Sequence, residues 1–246
     1  MRYEELQPVV RAINNLLERL RHKIRKEQSF VHDAAHELQT PLAVIANQTH
    51  VLAAATTLDE RVEAHQNAEH AIERAGHLVR QMVALSRLDS DLQDEWKTFN
   101  VAASVRELLA PLVLSTLAKS IELTLESPDS VLMYGDPSAL HSIIGNLVDN
   151  ALRYIGQGGR IQIEIESENG VVTLRVLDDG PGIRAEDCER VFDRYYRVAG
   201  TGVTGSGLGL SIVKQAVARM QGKIFLGEGL DGKGCAFVVE LPAGRS

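Results

Sequence analysis

Aromatic residues are scarce in this chain, at 4% of 246 residues with a single tryptophan. That shortage favours helices with Ala, Leu and Val cores over an aromatic-rich β-sandwich. Cysteine is scarcer still. Cys188 and Cys235 are the only two. They make neither a disulfide framework nor a metal-ligand pair, and read as reduced thiols in a reducing cytoplasm. Basic charge is not in excess: 26 Lys+Arg against 33 Asp+Glu leave a net charge of −7, which argues against general affinity for nucleic acid. Secretory character is missing too, since Met1-Arg2 leads straight into a polar helical pattern. No run of about 18 apolar residues is expected to span a membrane. There is no internal repeat and no low-complexity segment. The pattern opens without a capping signal before Leu6, so a piece of a longer protein is expected.

What the sequence does hold falls into two halves. In the first, Leu6, Val10, Ile13, Leu17, Leu20 and Ile24 alternate steps of four and three, the spacing of a coiled-coil seam. Val31, Ala35, Leu38, Leu42, Ile45, Thr49 and Leu52 continue the stripe, and Ala68, Ile72, Ala75, Val79, Met82 and Leu85 form a second one. Between them Thr56-Thr-Leu-Asp-Glu60 reads as the turn of an antiparallel hairpin. Such a hairpin buries one face of each helix, so pairing of two copies into a four-helix bundle is expected.

After about Leu88 the character changes. Residues 89–95 are an acidic linker. Beyond it, a helix capped by Asn100 and running to about Leu117, strands at 121–125 and 131–134, and a helix opened by Asp136-Pro137 and running to about Tyr154 are predicted. Strands at 161–165 and 171–177 flank the turn Glu168-Asn-Gly170, and a helix at 208–220 and strands at 223–226 and 236–241 follow. The fold class is multidomain: a long-helix hairpin followed by a two-layer α/β sandwich.

Chemistry-bearing motifs occur in both halves. His32 and His36 sit four apart in His32-Asp-Ala-Ala-His36. The spacing loosely fits a zinc-protease helix, which needs Glu after the first His and a third ligand; the chain has Asp33 there and no obvious third ligand. Gly200-Thr-Gly-Val-Thr-Gly205 formally fits a dinucleotide-binding turn, but no strand precedes it. Gly205-Ser-Gly-Leu-Gly-Leu210 runs directly into a helix, whose N-terminal N–H groups can hold phosphate oxygens. Asp178-Asp-Gly-Pro-Gly-Ile183 follows a strand; its glycines let the backbone approach a flat ligand, and a carboxylate beside them can accept from an exocyclic amine such as that of adenine. Asn146 and Asn150, four apart, share a helix face, and an amide oxygen can ligate Mg²⁺. Arg153 and Tyr154 lie one turn on, where they could reach phosphates, whereas Asp149 points about 100° away from Asn150.

Taken together, in this order, these elements resemble the sensor histidine kinases over nearly the whole chain. Asn146–Tyr154 resembles that family's N-box, Asp178–Ile183 its first glycine box, Arg190-Val-Phe-Asp-Arg-Tyr-Tyr-Arg197 its F-box and Gly205–Leu210 its second glycine box. His36-Glu-Leu-Gln-Thr-Pro-Leu42 resembles the H-box, with Gln39 where Arg is more usual, and Leu6–Leu20 resembles the last helix of a HAMP signal relay. The resemblance implies a HAMP-like stub at 1–25, a dimerisation and phosphotransfer hairpin at 26–92, a linker at 93–97 and an ATP-binding domain of the histidine-kinase/Hsp90-like ATPase type at 98–246. It implies His36 as phosphoacceptor, Glu37 as general base and Thr40 as the residue that positions water for phosphatase activity. Nucleotide binding falls to Asn146, Asn150, Arg153, Tyr154, Asp178, Gly180, Gly182, Ile183, Phe192, Arg197, Gly205, Ser206, Gly207, Leu208, Gly209 and Leu210, with Mg²⁺ at Asn150. The implied partners are a second copy, a response-regulator receiver domain and an upstream sensor segment anchored in the bacterial inner membrane, with ATP and Mg²⁺ as cofactors. Pro41 leaves the Glu37 carbonyl without its helical partner and predicts a bend beside His36. An ATP-gated interaction module that transfers nothing is the alternative, and degenerate boxes would have favoured it.

Overall fold

The structure is a computed structural model that describes residues 7–88, 96–198 and 205–244. Leu6 and the acidic linker at 89–95 lie outside them. The chain divides into two compact units, 1–82 and 83–246.

The first unit is built on two helices, α1 (Gln7–Ala54) and α2 (Leu58–Leu88), the second of which continues beyond it. α1 runs through Pro41 as one helix of 48 residues. The reversal is tighter than the sequence suggests. Only residues 55–57 lie outside helix, and Leu58-Asp-Glu60 already belongs to the first turn of α2. The reason is a reciprocal cap. The Glu60 amide donates to Thr57 Oγ1 at 3.3 Å, and the Glu60 carboxylate accepts from the amides of Thr56 at 2.9 Å and Thr57 at 3.2 Å. Those backbone bonds hold the Glu60 carboxyl below its ordinary pKa.

The stripe predicted on α2 mixes two faces. The buried residues are Ala64, Ala68, Ala71, Leu78, Gln81 and Leu85, a run with steps of four, three, seven, three and four. Ile72 and Val79 stay 57% and 46% exposed. Alanine-rich seams are easily overlooked because Ala carries little apolar surface, so the larger Ile and Val side chains draw the eye to the wrong face. On α1 the predicted seam residues Val10, Ile13, Leu17, Leu20, Ile24, Val31 and Leu42 are all exposed.

The second unit carries an antiparallel pair, β1 (Lys97–Asn100) with β3 (Leu132–Gly135), and a five-stranded sheet. The sheet order is β2 (Glu122–Glu126), β4 (Arg160–Glu168), β5 (Val171–Asp178), β7 (Cys235–Pro242), β6 (Lys223–Glu228). β2 and β4 are parallel and the other neighbours antiparallel. Alternation along β4 and β5 puts Ile161, Ile163, Ile165, Val172, Leu174 and Val176 into the core. α5 (Pro137–Tyr154) and α6 (Gly209–Arg219) supply Leu140, Ile143, Leu147, Val213 and Val217 to the same core. β1 was not foreseen: its four residues are too short to show alternation. The predicted single helix from Asn100 is α3 (Val101–Leu109), one tighter turn at Ala110–Leu112 around Pro111, and α4 (Val113–Ala118). By length and composition, Val101–Ala118 is apolar enough to cross a membrane, contrary to the expectation from sequence. Its Val101, Ala102, Val105 and Leu109 instead lie buried in the core of this unit.

Candidate functional site

His36 stands near the middle of α1 with an exposed side chain, as do Glu37, Gln39 and Thr40 around it. Pro41 is buried. The His32 ring, also exposed, meets the His36 ring edge-on with centroids 4.5 Å apart. An exposed imidazole with acidic Glu37 next to it can act as a nucleophile towards anything brought to it.

The second unit gathers the remaining motifs at one end of its sheet. Asp136 starts α5 by accepting from the amides of Ser138 at 2.9 Å and Ala139 at 3.2 Å, while its other oxygen accepts from Arg219 Nε at 3.0 Å. So fixed, α5 packs Leu140, Ile143, Ile144, Leu147 and Val148 into the core and keeps Asn146, Asn150, Arg153 and Tyr154 half-buried on its other side. Asn146 Nδ2 donates to the Ser142 carbonyl at 2.7 Å. Asp149 pairs with Arg153 at 2.8 Å, one turn on. The Asn150 carboxamide has no hydrogen-bond partner among the described residues, so its oxygen is available to a cation or a ligand. The Arg153 guanidinium lies against Gly205, where a Cβ would stand 3.0 Å from Nη1. The first and last predicted motifs of this half therefore meet.

At the end of β5 the two carboxylates divide their work. Asp179 Oδ1 accepts from the Arg160 amide at 2.8 Å and ties the start of β4. Asp178, buried, accepts at Oδ1 from Gly180 N at 2.9 Å and Cys235 N at 3.3 Å, and at Oδ2 from the Cys235 thiol at 3.1 Å. Burial, reinforced by this carboxylate, pushes the Cys235 thiol far above its ordinary pKa. The cysteine read as a bystander is thus a fixed donor. The antiparallel register of β5 and β7, which pairs Leu177 with Ala236, puts it beside Asp178, and only a prediction of strand pairing would have revealed it. Gly182 has φ +74°, and a Cβ there would meet the Gly234 carbonyl at 3.0 Å; glycine is required for this close approach. Ile183 and Phe192 both pack against the core, and the Phe192 ring lies edge-on to Phe237 at 6.4 Å.

A cluster that sequence reading missed braces the segment leading to Arg197. Asp187, buried, accepts from the Tyr196 hydroxyl at 2.5 Å and from Arg184 Nε at 3.0 Å, and the Arg190 guanidinium sits 4.3 Å from the Tyr196 ring centroid. The tyrosine bond holds the Asp187 carboxyl below its ordinary pKa, and the same bond raises that of Tyr196. Arg197 itself is exposed. Next to it Tyr195 N donates to the Gly207 carbonyl at 3.0 Å, and Gly207 has φ +68° with no room for a Cβ against the Tyr195 backbone. Ser206 Oγ accepts from Leu208 N at 3.2 Å. The Leu208 side chain is fully buried, so its contribution to a ligand is confined to backbone. Gly209 and Leu210 open α6. The remainder of Gly200–Gly205, at 200–204, lies outside the described residues. Among those described, no group of three or more His, Cys, Asp or Glu could hold a metal.

The α/β sandwich thus carries half-buried asparagines on one helix and a buried aspartate at a strand end beside a glycine-rich turn, and the helical unit carries an exposed histidine. Residues 26–91 match the His Kinase A (phospho-acceptor) domain, and 135–245 match the histidine kinase-, DNA gyrase B-, and HSP90-like ATPase domain. The swarming motility regulation sensor protein RssA of Serratia marcescens is 37% identical over 244 residues, which are 98% of this chain and 52% of that protein. The sensor protein kinase PmrB of Pseudomonas aeruginosa is 38% identical over 242 residues, 97% of this chain and 50% of its own length. Among solved structures, the Acinetobacter baumannii histidine kinase AdeS shares the fold, with a TM-score of 0.68, 23% identity and coverage of 85% of this chain and 98% of its own. The chain belongs to the bacterial two-component sensor histidine kinases. It spans about half the length of the two relatives named above.

Proposed function

We propose that this chain is the kinase core of a two-component sensor: it transfers the γ-phosphoryl group of ATP to His36 and passes it on to an aspartate of a response-regulator receiver domain. The observation that carries this reading is that the chain holds both an exposed His36-Glu37 on a helical unit and a second unit in which Asn150 has no partner among the described residues and Asp178 is held by three donors. In the transfer, a His36 ring nitrogen attacks the γ-phosphorus, the bond to the β,γ-bridging oxygen breaks, and ADP leaves. The proton of the other ring nitrogen passes to Glu37. Asp178 accepts from the adenine amine, the Gly180–Gly182 turn allows the base to approach, and the amides of Gly205–Leu210 with Arg153 and Arg197 hold phosphates. Asn150 offers an oxygen to Mg²⁺, which when bound neutralises charge on the phosphates. Asn146, Tyr154, Ile183 and Phe192 shape the nucleotide site. Thr40, exposed one turn after His36, would orient water for dephosphorylation of the regulator.

The row of exposed apolar residues on α1 supports a homodimer closed through a four-helix bundle. A HAMP-like relay before residue 26 and an anchor in the inner membrane, upstream of the residues present here, complete the proposal. The test is incubation with γ-labelled ATP and Mg²⁺. Acid-labile, alkali-stable label is expected on the wild type and none on His36→Gln; label that persists in His36→Gln would overturn the assignment.

A further inference from the structure

His32 has no part in the reaction proposed above, yet its ring is in contact with that of His36. We infer that the two imidazoles form an exposed bidentate site for a borderline divalent transition-metal ion such as Zn²⁺, and that an ion held there withdraws His36 from phosphorylation. The second half of this inference rests on the proposed function; the first does not.

Three observations carry it. The residues are four apart on one helix, a separation that places their Cβ atoms about 5–6 Å apart on one face and that helical zinc sites use for two of their ligands. The rings already touch edge-on, with centroids 4.5 Å apart. Two imidazole nitrogens that each hold one ion at about 2.0–2.1 Å lie about 3.3 Å apart, which rings at this centroid distance reach by turning about their side-chain bonds. Both side chains are exposed, so each can turn a nitrogen towards a shared point without disturbing a core. The charge of the segment also favours a dication. Residues 27–60 contain Glu27, Asp33, Glu37, Asp59 and Glu60 and no Lys or Arg, and Asp33 and Glu37 flank the pair. No third side-chain ligand joins them among the described residues, so water fills the remaining positions and the ion comes and goes. Imidazole selects Zn²⁺ or Cu²⁺ over Mg²⁺, a hard cation that prefers oxygen. The Mg²⁺ that accompanies ATP therefore does not compete.

The test is calorimetric titration of ZnCl₂ into the nucleotide-free chain. One ion per chain is expected for the wild type, with affinity at least tenfold weaker in His32→Gln and in His36→Gln alike, and no binding of Mg²⁺ at this pair. Equal zinc affinity in wild type and His32→Gln would overturn the site. Half an ion per chain would overturn it in favour of an ion bridging two copies. In parallel, labelling from ATP with Mg²⁺ in excess is measured against rising ZnCl₂. His32→Gln is expected to label like the wild type without zinc and to need at least tenfold more zinc for half-inhibition. Identical inhibition of both would overturn the link to phosphorylation. A chain that binds zinc as expected but takes no label under any condition would refute the kinase reading and leave the metal site standing.

Discussion

Replacing Asp178 by asparagine tests the nucleotide site with the least disturbance to the fold. In the structure the carboxylate accepts three bonds, from Gly180 N, Cys235 N and the Cys235 thiol, at 2.9, 3.3 and 3.1 Å. An asparagine oxygen in the place of Oδ1 keeps both backbone donors. The amide nitrogen then replaces Oδ2 and faces the Cys235 sulfur, which can rotate its proton away and accept weakly. The domain should therefore fold. In the proposed site the nucleotide meets a different group: the exocyclic amine of adenine would face a donor in place of a charged acceptor. Loss of a hydrogen bond to a charged group costs about 1.5–3 kcal/mol, equivalent to about a 10- to 150-fold weaker affinity at 1.36 kcal/mol per decade. Titration calorimetry with a non-hydrolysable ATP analogue and Mg²⁺ measures this directly, and a thermal melt without nucleotide checks the fold. Affinity within twofold of the wild type, with the melt unchanged, would show that Asp178 does not read the base.

The other predictions concern what holds the site in place. Asp136→Ala removes a helix cap, worth about 1 kcal/mol, and a buried ion-pair partner of Arg219, worth about 3 kcal/mol; urea unfolding should show a loss of about 4 kcal/mol, with Asp136→Asn keeping the cap and losing about 3. Equal losses from both variants would mean that the cap contributes nothing. A thiol-alkylating reagent should label the half-exposed Cys188 in native protein and leave Cys235 untouched until unfolding, because burial and Asp178 keep that thiol protonated. Peptide mass spectrometry showing both labelled at one rate would refute the packing described around Asp178.

Much of this architecture was legible in the residues, for reasons that also explain what was not. Asp136-Pro137 announced α5 because cap and first-turn proline are local chemistry, and α5 begins there. The alternation in β4 and β5 announced two half-buried strands for the same reason. What escaped depends on pairing across the chain. β1 exists through its register with β3, thirty-odd residues on. Cys235 matters only because β7 runs beside β5. The Arg184–Asp187–Tyr196 cluster is drawn from a loop whose spacing shows no period. Within the helical unit the error was one of size: Ile72 and Val79 outweigh Ala64 and Ala71 on any apolar count, yet the alanines are the buried ones. Small side chains let helices approach closely, and the larger ones are left for another surface.

The same logic of faces bears on the proposed use of the Asn150 amide as an Mg²⁺ ligand where a carboxylate stands next door. Asp149 is the harder and more strongly binding ligand for Mg²⁺, and one position separates it from Asn150. On a helix that one position is a rotation of about 100°. It turns Asp149 to Arg153, which it pairs at 2.8 Å, and leaves Asn150 on the side where its carboxamide has no partner among the described residues. The Arg153 guanidinium also lies against Gly205, so in the proposed reading the carboxylate acts on the nucleotide site by helping to place a cation. A carboxylate at position 150 would add a negative charge facing the phosphates it has to receive. In the proposed reading a neutral oxygen leaves the charge balance to Mg²⁺ and to the arginines, and lets the metal enter and leave with the nucleotide, as exchange of ADP for ATP would require.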